Sequence, residues 1–251
     1  VVDWTLRITG AIALLMIIFY SIKEEKIIRE RLLALTVLIV FSVVFWALFE
    51  QAYTSMNLYA DRVLDRQFFD WTIPGPWFLS LNALFIILFA PLVASLWVKL
   101  GKYNPNTPVK FAFAIILVGL GFGMLVIGAN VTPEGAKIAM IWLVLAYFLH
   151  TMGELCLSPV GLSSVTKLAP QKIVGFMMGV WFLATASSEF IAAVLANLAK
   201  IDTKGGEVTD VTVALASYTD LFSKLFWVGL IFGGILLLLS PLLKKLMHGI
   251  K

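Results

Sequence analysis

Charge is what this sequence has least of. Only 14% of its residues are Asp, Glu, Lys or Arg, and 61% are hydrophobic, whereas a soluble domain carries roughly 25% charged residues. A soluble fold of 251 residues has nowhere to hide so much apolar surface, so lipid is the expected solvent. Cysteine is nearly absent. Cys156 stands alone inside an apolar run, which excludes an intrachain disulfide and reads as a small core side chain. There are two histidines, His150 and His248, and no His-Glu-x-x-His. No metal site or cofactor is therefore expected, and an enzyme would have only a pair of buried acids to work with. No basic patch is interleaved with aromatics, which excludes a nucleic-acid surface. A cleavable signal peptide is also missing, and Val1-Val2-Asp3 is not a natural start. The N-terminus reads as a cut inside a longer chain.

What the sequence does have is long apolar runs. Seven stretches are long enough to cross a bilayer, which takes about 20 residues: 4–22, 32–60, 76–98, 108–130, 137–166, 173–199 and 217–243. The breaks carry turn residues and charge, as in Pro74-Gly75-Pro76, Asn104-Pro105-Asn106 and the polar stretch 202–210. The span 1–22 precedes 23–31, which reads as a cytoplasmic linker. The region 32–251 then forms a six-helix bundle of two triplets, about 32–130 and 137–243. With the linker inside, twelve of the nineteen basic residues fall on the cytoplasmic side and six outside, Arg7 lying near the outer end of the first span. This asymmetry puts the C-terminus in the cytoplasm. Glycine pairs four residues apart (Gly119/Gly123, Gly175/Gly179, Gly229/Gly233) predict close helix crossings. Pro91 and Pro159 inside spans predict kinks.

Three acids interrupt the apolar runs: Glu50, Glu154 and Glu189. A carboxylate at bilayer depth costs about 2.5–3.5 kcal/mol, so each must face a cavity or a partner. At 100° per residue, Glu50, Thr54, Asn57 and Asp61 share one helix face, and Tyr147, His150, Thr151, Glu154 and Ser158 share another. Glu50 and Glu154 each sit on the first helix of a triplet, as equivalent positions of inverted repeats would. No lysine or arginine of the chain lies at mid-membrane depth, so the partner is a substrate, a proton or a basic group on helices outside this chain. His150, one turn from Glu154, could relay protons with it, but the commoner reading is a buried neutral ring donating to that carboxylate. Asn82 adds a central amide able to donate and accept. Trp181, away from the interfacial belts, is either a pocket wall or core packing.

These residues also carry a resemblance. The run Phe45-Trp46-Ala47-Leu48-Phe49-Glu50-Gln51, continuing through Asn57-Leu58 and Ala60-Asp61-Arg62 to Asp65-Arg66, resembles the seventh helix of the proton-coupled oligopeptide transporters. Leu79-Ser80-Leu81-Asn82 with Pro91-Leu92 is similar to the eighth helix, Gly153-Glu154-Leu155-Cys156-Leu157-Ser158-Pro159 to the tenth, and Gly175-Phe176-Met177-Met178-Gly179-Val180-Trp181 to the eleventh. The resemblance implies an all-α integral membrane protein: a six-helix half-bundle of the major facilitator type plus one preceding extra helix. It implies proton-driven symport of di- and tripeptides across the bacterial inner membrane, completed by an N-terminal six-helix bundle outside this chain. By the same resemblance, Glu154 receives the peptide's amino terminus and Asn82 bonds its backbone. Ser158 and Trp181 line the cavity, and Glu50 handles the coupling proton.

The chain departs from the family pattern in two ways. The Glu-x-x-Glu-Arg motif and the basic residue of the fourth helix are missing with the N-terminal half, so this chain alone is not expected to transport. Ser188-Glu189 stands where a small residue and an asparagine are expected, so no family role passes to Glu189. By count alone, seven spans also suit a receptor or another secondary transporter. A retinal pump is a poor fit, because Lys224 and Lys244 lie at the ends of the last span rather than its middle.

Overall fold

A computed structural model describes residues 2–198, 203–204, 207–208 and 210–250. Residues 202, 205, 206 and 209 of the expected 202–210 loop lie outside the described residues, as do Lys200 and Lys251 of the charge count. In lipid a backbone must satisfy its own hydrogen bonds, and among the described residues the apolar runs do so as helices. These are α1 (Val2–Lys23), α2 (Lys26–Phe49), α3 (Ser55–Val63), α4 (Ser80–Leu100), α5 (Thr107–Val131), α6 (Met140–Leu168), α7 (Val174–Ala196) and α8 (Val211–Leu246). Counting α2 and α3 as one interrupted span, seven helical segments are long and apolar enough to cross a membrane. The loops hold two-residue strands: β1 (Leu64–Asp65), β2 (Gln67–Phe68), β3 (Trp71–Thr72), β4 (Ile138–Ala139), β5 (Thr203–Lys204) and β6 (Glu207–Val208). They pair as β1–β4, β2–β3 and β5–β6. The parallel β1–β4 pair, Leu64 opposite Ile138, ties the end of α3 to the start of α6.

Three features differ from the sequence reading. The linker expected over 23–31 shrinks to Glu24–Glu25, because α2 begins at Lys26. Its charged first turns form contacts of their own: Lys26 reaches Glu30 at 3.9 Å, and His248, beyond α8, reaches Glu30 at 2.6 Å. Lys172 of the α6–α7 loop approaches Glu24 at 4.0 Å. These contacts gather the α1–α2 turn, the α6–α7 loop and the C-terminal tail at one end of the bundle. The second difference is a break in the span read as one helix over 32–60. After Phe49 the chain tightens into a 3₁₀ turn, Glu50–Tyr53, and Thr54 leaves helical geometry at φ −117°, ψ −96° before α3 starts. The third is a further intrahelical proline, Pro241 in α8, beside Pro91 and Pro159.

The core runs through α2, α5, α6 and α8. Leu32, Leu35, Leu38 and Phe45 of α2 are fully buried, as are Phe111, Ile115, Val118 and Phe122 of α5. Peripheral helices look different. No residue of α4 is buried; the helix is held to α6 by Phe85 and Phe89 against Phe148, at 5.7 and 5.2 Å between ring centres. On α1, Leu15 and Ile22 are exposed while Ala13 and Ile17 are buried, as suits a helix whose outer face is solvated by acyl chains.

The glycine pairs divide. Gly119 and Gly229 face each other where α5 crosses α8. A methyl built on Gly229 would lie 2.9 Å from the Gly119 nitrogen and 3.1 Å from the Ile115 carbonyl oxygen. Backbone atoms cannot swing aside, so glycine sets the interhelix distance here. Gly175 and Gly179 have nothing within 4 Å of an added methyl and form no crossing. Gly229→Ala is therefore expected to destabilise the protein by about 1–3 kcal/mol, the usual cost of overpacking, and Gly179→Ala not at all. Thermal unfolding in detergent checks both; equal midpoints for the two variants would remove the α5–α8 crossing as a packing constraint.

Candidate functional site

The site is built on the break after α2. The segment from Glu50 to Asn57 contains no glycine or proline, but Thr54, Ser55 and Asn57 carry short polar groups that compete with the backbone for hydrogen bonds. The Ser55 hydroxyl donates to Gln51 Oε1 at 2.6 Å, and the Thr54 hydroxyl to the Glu50 carbonyl at 3.4 Å. A broken helix in a membrane survives only where neighbours satisfy the freed groups. Here Gln51, fully buried, donates through Nε2 to Ala47 O at 3.3 Å and across to Ala192 O of α7 at 3.0 Å. The Tyr147 hydroxyl of α6 donates to Ala52 O at 3.4 Å. The break is thus pinned from both sides, with Glu50 at its first residue, half-buried.

This replaces the expected stripe. Continuous α-helical spacing no longer holds past Glu50, and Asp61 belongs to the loop end, where it pairs with Arg66 at 3.2 Å. Arg62 donates to the Tyr218 hydroxyl at 3.1 Å. Gln51 was not singled out from sequence. The only available signal was an amide adjoining Glu50 in an apolar run.

Across from the break, α4 and α6 meet at a polar contact. Asn82 Nδ2 donates to Glu154 Oε2 at 2.8 Å and lies 3.2 Å from Thr151 Oγ1. The Thr151 hydroxyl is itself directed to the Tyr147 carbonyl at 2.8 Å. The amide therefore orients one carboxylate oxygen of Glu154, leaving the other oxygen and its own Oδ1 available to a ligand. The charges of Glu154 and of Glu189, which is exposed on α7, both reach Glu50. Among the described residues neither Glu50 nor Glu154 has a Lys or Arg ion pair. Carboxylates thus share one region with no Lys or Arg paired to Glu50 or Glu154 among the described residues, an arrangement that attracts an amine or a proton.

Two sequence candidates are placed elsewhere. His150 does not bond Glu154. It turns to α5, where Nε2 meets the Val118 carbonyl at 3.0 Å beside Phe122, 4.8 Å between ring centres. A carbonyl only accepts, so Nε2 carries the proton and the buried Nδ1 has no partner. Gly121 makes the room, since a methyl there would meet the imidazole. Trp181 is 4% exposed and stacks over Gly161, with Phe111 at 6.3 Å. It is the packed residue of the two readings, and the structure does not bring it to Asn82 and Glu154. Ser158, one turn beyond Glu154 on α6, stays half-buried.

The model of the POT family matches residues 3–211. The chain is 41% identical over 235 residues to the uncharacterized transporter YclF of Bacillus subtilis, covering 94% of this chain and 45% of YclF. It is 32% identical to dipeptide and tripeptide permease A of Erwinia pyrifoliae, covering 97% of this chain and 49% of the permease. Among solved structures, a mutant of the peptide transporter POT in complex with alafosfalin superposes with a TM-score of 0.81 at 35% identity, over 99% of this chain and 50% of that one. The chain spans about half the length of the curated relatives it matches. Matched over most of its length in sequence and fold, this all-α membrane chain belongs to the POT family.

Proposed function

We propose that this chain is the C-terminal six-helix bundle, with one preceding helix, of a proton-coupled symporter that imports di- and tripeptides by alternating access. The observation that carries the reading is the Asn82–Glu154 hydrogen bond at 2.8 Å, which orients a half-buried carboxylate that has no Lys or Arg ion pair among the described residues. A cationic amine entering a low-dielectric cavity needs such a carboxylate, and the amide beside it suits a peptide backbone. In this reading Glu154 takes the peptide's amino terminus, Asn82 its backbone, and Ser158 a wall position. Trp181 acts from beneath, by packing α7 on α6. Glu50, at a helix break as in other transporter sites, exchanges a proton for a cation on the other half of the transporter. Relatives named as dipeptide and tripeptide permeases support the substrate class.

The two triplets of the bundle are related as inverted repeats. The crossing of their third helices, α5 and α8, at Gly119 and Gly229 supports this. The protein is multi-pass in the bacterial inner membrane, with the gathered end of Glu24, Lys172 and His248 and the C-terminus in the cytoplasm. The test is uptake of radiolabelled dialanine into liposomes holding the full-length transporter. Accumulation is expected with an inward proton gradient and background with a protonophore, while this chain reconstituted alone gives background in both. Gradient-independent uptake, or peptide hydrolysis without accumulation, would overturn the proposal.

A further inference from the structure

Tyr53 closes the 3₁₀ turn that begins at Glu50. With three residues per turn, positions i and i+3 of such a helix eclipse, so Tyr53 stands over Glu50 on one face, about 6 Å along the axis. An α-helix continued through this segment would have turned Tyr53 about 60° away. The break therefore brings a phenol into line with an acid.

The same turn is held to α6. The Tyr147 hydroxyl donates to Ala52 O, next to Tyr53, at 3.4 Å. On α6 the face of Tyr147 continues through Thr151, which bonds back to the Tyr147 carbonyl at 2.8 Å, to Glu154. Tyr53 thus sits between the two acids of the site, and the charges of both Glu50 and Glu154 reach its hydroxyl. A ring turned out to lipid would be remote from both.

Tyr53 is 59% exposed, and among the described residues no hydrogen bond engages its hydroxyl. Tyr147, by contrast, spends its hydroxyl on Ala52. A primary ammonium carries three N–H donors. The Asn82–Glu154 pair offers it two acceptors, the second oxygen of Glu154 and Asn82 Oδ1. One more acceptor is wanting, and a phenol can accept there while donating elsewhere.

We propose that Tyr53 is a further peptide-binding residue: its hydroxyl oxygen accepts one N–H of the peptide's ammonium, and its O–H donates to the Glu50 carboxylate. The proposal rests on reading Glu154 as the amine site. One hydroxyl then joins the peptide to the acid of the coupling step. An ionised Glu50 draws the phenol proton to itself and turns the oxygen lone pairs to the amine, each hydrogen bond polarising the next.

The test is titration calorimetry of dialanine on the purified full-length transporter. Tyr53→Phe keeps the ring and removes only the hydroxyl. It is expected to weaken binding roughly tenfold, the effect of one hydrogen bond to a charged group, with the thermal unfolding midpoint unchanged. In a Glu50→Gln background the same substitution should cost less than about threefold, because the carboxylate that orients the hydroxyl is gone. Wild-type affinity in Tyr53→Phe would overturn the proposal. So would equal penalties in the two backgrounds, which detach the hydroxyl from Glu50, or a midpoint that falls with the affinity, which assigns the hydroxyl to holding the break. Glu154→Ala tests the amine site separately. Binding lost there but kept in Tyr53→Phe sinks this proposal alone, whereas binding kept in Glu154→Ala removes the amine reading itself.

Discussion

Glu154→Ala in the full-length transporter is expected to weaken dipeptide binding by roughly 30- to 4000-fold and to abolish uptake. That range corresponds to the 2–5 kcal/mol lost when one partner of a buried, hydrogen-bonded charge pair is truncated. The fold should survive, because Asn82 keeps Thr151 at 3.2 Å and the break after α2 is held by Gln51 and Tyr147 rather than by Glu154. The loss is therefore of affinity, not of protein. Titration calorimetry with dialanine on the purified variant, alongside its thermal unfolding midpoint, separates the two. An unchanged dissociation constant would remove Glu154 as the amine site and leave Asn82 orienting a carboxylate with no substrate role.

Glu50→Gln is expected to reduce gradient-driven accumulation to background while leaving peptide counterflow measurable. Glutamine matches the size and much of the hydrogen bonding of glutamate but cannot take up or release a proton. Glu50 stands at the first residue of a helix break, half-buried, with the charges of Glu189 and Glu154 as its acidic neighbours. In the proposed coupling role such a group would alternate between a bound proton and a cation, each state favouring a different cavity conformation. Removing the titration uncouples the proton but leaves the peptide pocket. Counterflow and gradient-driven uptake are measured on the same proteoliposomes. Wild-type accumulation by the variant would mean that the coupling proton sits elsewhere, Glu189 being the next acid in reach.

How much of this could be read from the chain depended on whether energy or geometry was at stake. Glu50, Glu154 and Asn82 stood out because a polar group in a 20-residue apolar run is expensive wherever it points. The α2 break did not, because no glycine or proline marks it. It rests on Gln51 reaching Ala192 and Tyr147 reaching Ala52, partners 141 and 95 residues away. His150 illustrates the same limit. One-turn spacing offered it Glu154, but the gap at Gly121 on a different helix let it bond Val118 O instead. Trp181 had two readings until Gly161 of α6 proved to be the slot that receives its ring. The glycine pairs were identical as patterns, yet only those facing a second helix became crossings.

The sequence by itself determined the solvent, the number of spans, and the presence of acids at bilayer depth. These follow from transfer free energies, which are properties of each residue type and sum along the chain without knowledge of neighbours. Only the tertiary structure decided that the helix unwinds at Glu50, that Asn82 holds Glu154, and that His150 and Trp181 turn into the core. Those outcomes depend on hydrogen-bond directions and on gaps left by glycines on other helices, and they are settled when the helices pack.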